Sequence, residues 1–164
     1  MPKHRVSAAR DVIRKALTGS GLAARHTLCF TKASLDTELS GLKGHGLYRL
    51  DHQRLHLRSG KVGGAVVPEV NALSPGAFRI DARHGFADPA IKAGFARSIP
   101  GAQARGIAAI GVFNSCNAAT LGFRAGNLAR AGLFAFGAAN AAPTVAPVGG
   151  HRPIISTNPL QAFA

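Results

Sequence analysis

The densest chemistry in the chain lies in Gly41-Leu42-Lys43-Gly44-His45-Gly46-Leu47-Tyr48-Arg49. His45 leaves a glycine-rich turn and Arg49 follows four residues later, so a helix beginning here would put both on one face. An imidazole that can give or take a proton, beside a guanidinium that can hold a carboxylate with two parallel hydrogen bonds, is minimum equipment for handling a 2-oxo, 2-hydroxy or 2-imino acid. The same spacing also describes a capping histidine and an arginine on a solvated face.

The other candidate groups carry less. His52 and His56 are one turn apart, a zinc-like spacing, but no glutamate or third ligand accompanies them, and a solvated helix face accounts for them. No metal is expected. Cys29 and Cys116 stand far apart without a Cys-x-x-Cys pair, which fits a reducing compartment rather than a disulfide framework. No Gly-x-Gly-x-x-Gly follows an expected strand, and the Gly-x-x-x-x-Gly-Lys-[Ser/Thr] phosphate loop does not occur. A Rossmann domain is therefore not expected. After one expected strand comes Asn114-Ser115-Cys116-Asn117-Ala118-Ala119-Thr120-Leu121-Gly122, where small residues open a helix whose free amides could receive a phosphate or simply be capped.

The elements that position these groups can be read from periodicity. Ser7 is placed to cap a helix carrying Val12, Ile13, Ala16 and Leu17 on one face and ending at Gly19. A second helix follows Ser20-Gly21, with Leu28, Leu35 and Leu39 on its stripe, and stops near Ser40. From Leu47 the period resumes through Leu50, Leu55 and Leu57 to Ser59-Gly60, so residues 1–60 read as a helical subdomain. Beyond Gly60, residues 65–70, 77–81, 107–113 and 133–140 read as strands. Residues 89–105 and 118–131 read as helices, with Pro100 expected to kink or shorten the former. Residues 142–159 are rich in Gly and Pro and imply loop, and residues 160–164 show no closing element.

Charge raises one competing reading. The chain carries 20 Lys+Arg against 7 Asp+Glu, a formal charge of +13 over 164 residues, which favours polyanionic partners. The excess is dispersed: residues 1–60 hold 11 basic and 4 acidic side chains, and 61–164 hold 9 and 3. With one Tyr and no Trp there is no stacking platform, so nucleic acid is not the expected partner. No apolar run is long enough to span a bilayer, and the N-terminus lacks the apolar stretch of a secretory signal, so a cytoplasmic location is expected.

Taken in order, the segments resemble the malate/L-lactate dehydrogenase family, which is distinct from the Rossmann enzymes. The pattern Gly-x-x-Ser-His-Gly-x-x-Arg is met by Gly41 to Arg49 with one departure. His84-Gly85-Phe86, Asn114-Ser115, Ala146-Pro147-Val148-Gly149-Gly150 and Thr157-Asn158-Pro159 follow. Within the family, Ser59-Gly60-Lys61-Val62 and Pro75-Gly76-Ala77-Phe78-Arg79-Ile80-Asp81 look most like the Δ1-piperideine-2-carboxylate/Δ1-pyrroline-2-carboxylate reductases.

The resemblance implies reduction of a cyclic imino acid to L-proline or L-pipecolate with NADPH or NADH. His45 would be the proton donor, Arg49 would bind the substrate carboxylate, Thr157 would also touch substrate, and Asn117, Ala118, Ala119, Thr120 and Leu121 would touch the cofactor. It implies an α+β homodimer with a helical part over 1–60 and, over 61–164, a partial mixed or largely antiparallel sheet with helices. Two alternatives stand beside it: a malate or lactate dehydrogenase acting on a 2-hydroxy acid, and a basic non-enzymatic module that binds nucleic acid. Three departures bear on activity, the first being that the cofactor stretch, which in the family commonly contains His and aromatic residues, reads Cys116-Asn117-Ala118 and loses donors and contact area. The family's serine before the histidine is Gly44, which loses a hydroxyl that could orient the imidazole. Family members continue for roughly as many residues again, so this truncated chain is expected to fold incompletely and to be inactive by itself.

Overall fold

The computed structural model describes residues 4–116 and 120–163. Helix α1 spans Val6–Thr18 and buries Ile13 and Leu17 on the predicted face, ending where the Gly19 amide donates to the Lys15 carbonyl at 2.9 Å. It starts earlier than the serine suggests. Arg5, not Ser7, is the N-cap residue, and the added turn is closed by the Ala9 amide on the Arg5 carbonyl at 3.2 Å. The two residues gained, Val6 and Ser7, are both exposed, and a serine cap worth only about 1 kcal/mol does not fix the start against them.

Helix α2 spans Ala24–Leu39, and its buried face differs from the leucine stripe. Leu35 is buried, but Leu28 and Leu39 are 75% and 65% exposed. The inner face carries Thr27, Phe30, Ala33 and Thr37 instead. The Thr27 and Thr37 hydroxyls turn back onto the Ala23 and Ala33 carbonyls at 3.2 and 2.8 Å, which lets polar residues enter the interior without loss. Helix α3, Leu50–Arg58, buries Gln53 and Leu57. The helices and Phe86 enclose a core of Ile13, Leu17, Leu22, Phe30, Leu35, Leu57 and Val62.

Strands β1 (Glu69–Ser74), β2 (Ala77–Asp81) and β3 (Ala109–Phe113) form a sheet in that order. β1 and β2 pair antiparallel around Pro75-Gly76. β2 and β3 pair parallel across α4 (Ala87–Arg105), so the sheet is mixed and the fold α+β. The first strand begins later than its β-branched run suggests. The Ala65 carbonyl is held by the Arg25 guanidinium and the Val66 carbonyl by His26 at 2.9 Å, leaving this segment tied to α2 instead.

α4 passes through Pro100 without ending, so the proline does not shorten the helix as the sequence allowed. Its buried face is built from Ala90, Gly94, Ser98 and Gly101, which lets the helix lie close on the sheet. A Cβ on Gly94 would come within 3.1 Å of both Ile80 and Ile110. Packing on both sides of Pro100 offsets the one amide that proline lacks.

The chain forms two compact units, Met1–Thr120 and Leu121–Ala164. The texture change at Gly60 marks a switch of secondary structure inside the first unit. There Phe30 of α2 meets Phe86 after β2, ring centroids 4.7 Å apart, joining helices and sheet in one interior. In the second unit α5 (Leu121–Ala129) precedes β4 (Ala135–Ala138), which pairs antiparallel with β5 (Leu160–Phe163). Residues 160–163, where the sequence showed no element, thus form a strand; β5 takes its hydrogen bonds from a strand more than twenty residues earlier, which local patterning cannot reveal. Among the described residues no helix is long and apolar enough to cross a membrane.

Candidate active site

His45 and Arg49 do not share an α-helix. Three glycines in this stretch, Gly41, Gly44 and Gly46, delay α-helix formation until Leu50, and the chain instead makes two successive 3₁₀ turns, Lys43–His45 and Leu47–Arg49. The expected common helical face is corrected to a turn pair hinged at Gly46. His45 ends the first turn with its amide on the Leu42 carbonyl at 2.9 Å, and its side chain is exposed.

Arg49 ends the second turn and reaches back. Its Nε donates to the Gly44 carbonyl at 3.0 Å, one residue before His45. That bond uses one of the five guanidinium donors, and the terminal nitrogens keep their fork for an anion. The two groups are thus linked through the backbone that carries the histidine.

A residue that sequence reasoning missed holds the hinge. Glu38, in the last turn of α2, accepts the Leu47 amide hydrogen on Oε2 at 2.9 Å and lies directly over Gly46. A Cβ at position 46 would approach the Glu38 Cβ to 3.0 Å and its Cα to 3.1 Å. The signal was there: a carboxylate at a helix C-terminus opposes the dipole, so such an acid needs a donor from elsewhere. Position 44 is open, and a Cβ there would meet nothing within 4 Å.

The two motif segments after β2 and β3 come together at the strands' carboxyl ends. The His84 amide donates to the Asn114 carbonyl at 2.8 Å, the Cys116 amide to Gly85 at 2.8 Å, and the Ala87 amide to Cys116 at 3.1 Å. Asp81 Oδ1 accepts the Arg83 amide at 2.7 Å and Asn114 Nδ2 at 3.1 Å. The Arg83 amide, seconded by Asn114 and the nearby His84 and Arg83 charges, holds the Asp81 carboxyl below its ordinary pKa, against a smaller desolvation effect. Arg83, His84 and Asn114 all take left-handed backbone, at φ 51°, 59° and 50°, so this crossing of chains is locally strained.

His56 sits at its flank, its Nδ1 3.6 Å from Cys116 Sγ and its ring 4.2 Å from that of His52. Burial first, then His52 and Lys61, push the His56 pKa down, and burial pushes the Cys116 thiol up, with Lys61 opposing. Both effects favour the neutral pair. Among the described residues no three His, Cys, Asp or Glu side chains gather as a metal site.

Of the expected cofactor stretch, Asn117, Ala118 and Ala119 lie outside the described residues. Thr120 is described, and its hydroxyl meets that of Thr37 at 3.1 Å. Leu121 opens α5, and Thr157 is exposed in the second unit, next to Asn158, whose Oδ1 accepts the Ala141 amide at 3.1 Å. The first unit therefore joins His45 to Arg49 and Thr120 to α2, while Leu121 and Thr157 belong to the second.

Comparison with known proteins gives these segments a context. A family model described as malate/L-lactate dehydrogenase matches residues 5–164. A (2R)-3-sulfolactate dehydrogenase (NADP(+)) of Chromohalobacter salexigens is 39% identical over 149 residues, covering 91% of this chain and 44% of that protein. A Δ1-pyrroline-2-carboxylate reductase of Ancylobacter novellus is 32% identical over 147 residues, covering 90% of this chain and 43% of the relative. The crystal structure of Δ1-piperideine-2-carboxylate reductase from Pseudomonas syringae pv. tomato superimposes with a TM-score of 0.89 at 27% identity, over 98% of this chain and 48% of that one. The chain thus spans less than half the length of the curated relatives it matches.

Proposed function

The chain belongs to the malate/L-lactate dehydrogenase family, and from that premise we propose that its first unit carries the acid and the carboxylate clamp of an NAD(P)H-dependent reductase. The observation that carries this reading is the Arg49 Nε bond to the Gly44 carbonyl, which sets a guanidinium fork beside His45. In the proposed reaction Arg49 holds the substrate carboxylate through its terminal nitrogens. His45 gives a proton to the imine nitrogen as hydride arrives at the adjacent carbon, leaving a secondary amine. NADPH or NADH supplies that hydride when bound.

Thr120 and Leu121, the described members of the cofactor stretch, offer one hydroxyl already bonded to Thr37, which does not amount to a dinucleotide site. Family membership supports 117–121 as the cofactor-side segment, Thr157 as a further substrate contact, and a homodimer in the cytoplasm.

The proposed substrate class is a cyclic 2-imino acid, Δ1-pyrroline-2-carboxylate or Δ1-piperideine-2-carboxylate, because relatives over 90% or more of this chain reduce these by name. A second reading, a 2-hydroxy-acid dehydrogenase, rests on the 39% identity to a sulfolactate dehydrogenase. The test is NADPH oxidation by the purified chain with each substrate. Cyclic-imine turnover that is abolished in His45→Ala supports the first reading. Turnover of sulfopyruvate or oxaloacetate alone supports the second, and turnover unaffected by His45→Ala overturns the assignment of the acid.

A further inference from the structure

The last turn of α2 serves two segments at once. Glu38 holds the hinge between the 3₁₀ turns through the Leu47 amide at 2.9 Å. Its neighbour Thr37 holds the entry to the same turns, accepting the Leu42 amide hydrogen on its backbone carbonyl at 3.2 Å. The Thr37 side chain reaches a different segment: its hydroxyl meets that of Thr120 at 3.1 Å, across 83 positions of sequence. Thr120 closes the first unit and is the described member of the expected cofactor stretch that lies within it. One residue of α2 therefore touches both the turn pair and the cofactor-side segment.

Burial gives that hydroxyl a reason to be there. Thr37 is 2% exposed, and valine would occupy the same place with no polar group to satisfy. The Thr27 hydroxyl, also buried on α2, returns to the Ala23 carbonyl of its own helix at 3.2 Å, whereas that of Thr37 bonds its own helix and a distant residue. A hydroxyl has one proton, and the Thr37 proton goes to the Ala33 carbonyl at 2.8 Å. In the longer contact Thr37 accordingly accepts and Thr120 donates, which fixes the direction of the Thr120 hydroxyl.

We propose that Thr37 is a positioning residue which, with Glu38, makes the end of α2 a bracket holding the Thr120 segment in fixed relation to the turns that carry His45 and Arg49. This role rests on the reading of 117–121 as the cofactor-side segment and of the turns as acid and carboxylate clamp. The bracket then sets the spacing between the cofactor side and the substrate side of the reaction.

Amide hydrogen exchange on the full chain, read residue by residue by NMR, separates the two arms. The Cys116 amide, bonded to the Gly85 carbonyl at 2.8 Å, reports the segment leading to Thr120, and the Leu47 amide reports the turns. Thr37→Val should speed exchange at Cys116 at least fivefold and leave Leu47 within twofold, while Thr37→Ser, which keeps the hydroxyl, should match the wild type at both. Thr120→Val removes the same bond from a half-buried position outside α2 and should reproduce Thr37→Val, so the bond is tested even where the buried substitution unfolds the chain. Binding of pyrrole-2-carboxylate should stay within twofold in both valine variants and fall at least fivefold in Glu38→Ala, since the clamp lies on the other arm. Unchanged exchange at Cys116 would overturn the proposal, as would an equal rise at Cys116 and Leu47, the mark of a merely structural residue. A wild type that does not bind pyrrole-2-carboxylate would overturn the clamp reading, and the bracket with it, whatever the exchange.

Discussion

Glu38 and Leu47 meet across the end of α2: the carboxylate oxygen takes the Leu47 amide hydrogen at 2.9 Å and presses the glutamate against Gly46. This contact fixes the hinge between the two 3₁₀ turns that bear His45 and Arg49, which makes Glu38 a positioning residue.

Gly46→Ala should be costly, because the added carbon would lie about 3 Å from the Glu38 Cα and Cβ, where backbone must move. The expected loss is about 1–3 kcal/mol in urea unfolding. Glu38→Ala should destabilise as well, through the unpaired Leu47 amide, while Glu38→Gln keeps an acceptor and most of the stability. Wild-type stability in Gly46→Ala would show that the hinge is not as tight as described.

Gly44→Ser should be tolerated. A Cβ there meets nothing within 4 Å, so stability should change by no more than about 0.5 kcal/mol. The new hydroxyl would stand one residue before His45, where the resemblance places a serine, and should shift the His45 imidazole resonances in NMR. Unmoved resonances with unchanged stability would show that a hydroxyl at this position does not reach the imidazole.

Acid should loosen the link between α2 and the segment before β1. Burial, then the Arg25 charge, depress the His26 pKa against the raising effect of the Val66 carbonyl it bonds. With the folded value below the unfolded one, the contribution is complete above the unfolded pKa near 6.5 and is lost as pH falls through the folded value. His56 shifts in the same direction, so the measurement compares variants. Between pH 7.5 and 5, His26→Gln should lose less stability in urea melts than the wild type, since glutamine can donate to Val66 without titrating. Parallel pH profiles would contradict this.

Local periodicity revealed much of this fold, and its failures have physical causes. Ile13 and Leu17 are both fully buried because α1 follows the 3.6-residue period of its apolar residues. α2 hid its inner face because threonines satisfied on their own helix can be buried as readily as leucines, leaving Leu28 and Leu39 outside. Pro100 misled because the helix beneath it is held by tertiary contacts along Gly94 and Gly101. β5 was invisible because its partner is non-local. At the site, His45 and Arg49 were legible as a chemical pair. Their mutual geometry was not, because glycines at 41, 44 and 46 permit backbones that spacing alone does not choose among, and the choice is made by Glu38 from another element.

The central claim is that His45 and Arg49 meet one small carboxylate, and ligand titration followed by NMR tests it without requiring turnover. Pyrrole-2-carboxylate, a planar and stable stand-in for the cyclic imine, should bind saturably, shift the His45 imidazole resonances, and weaken at least tenfold in Arg49→Ala, about 1.4 kcal/mol. Binding that leaves the His45 resonances unmoved, or that survives Arg49→Ala at full strength, would contradict it.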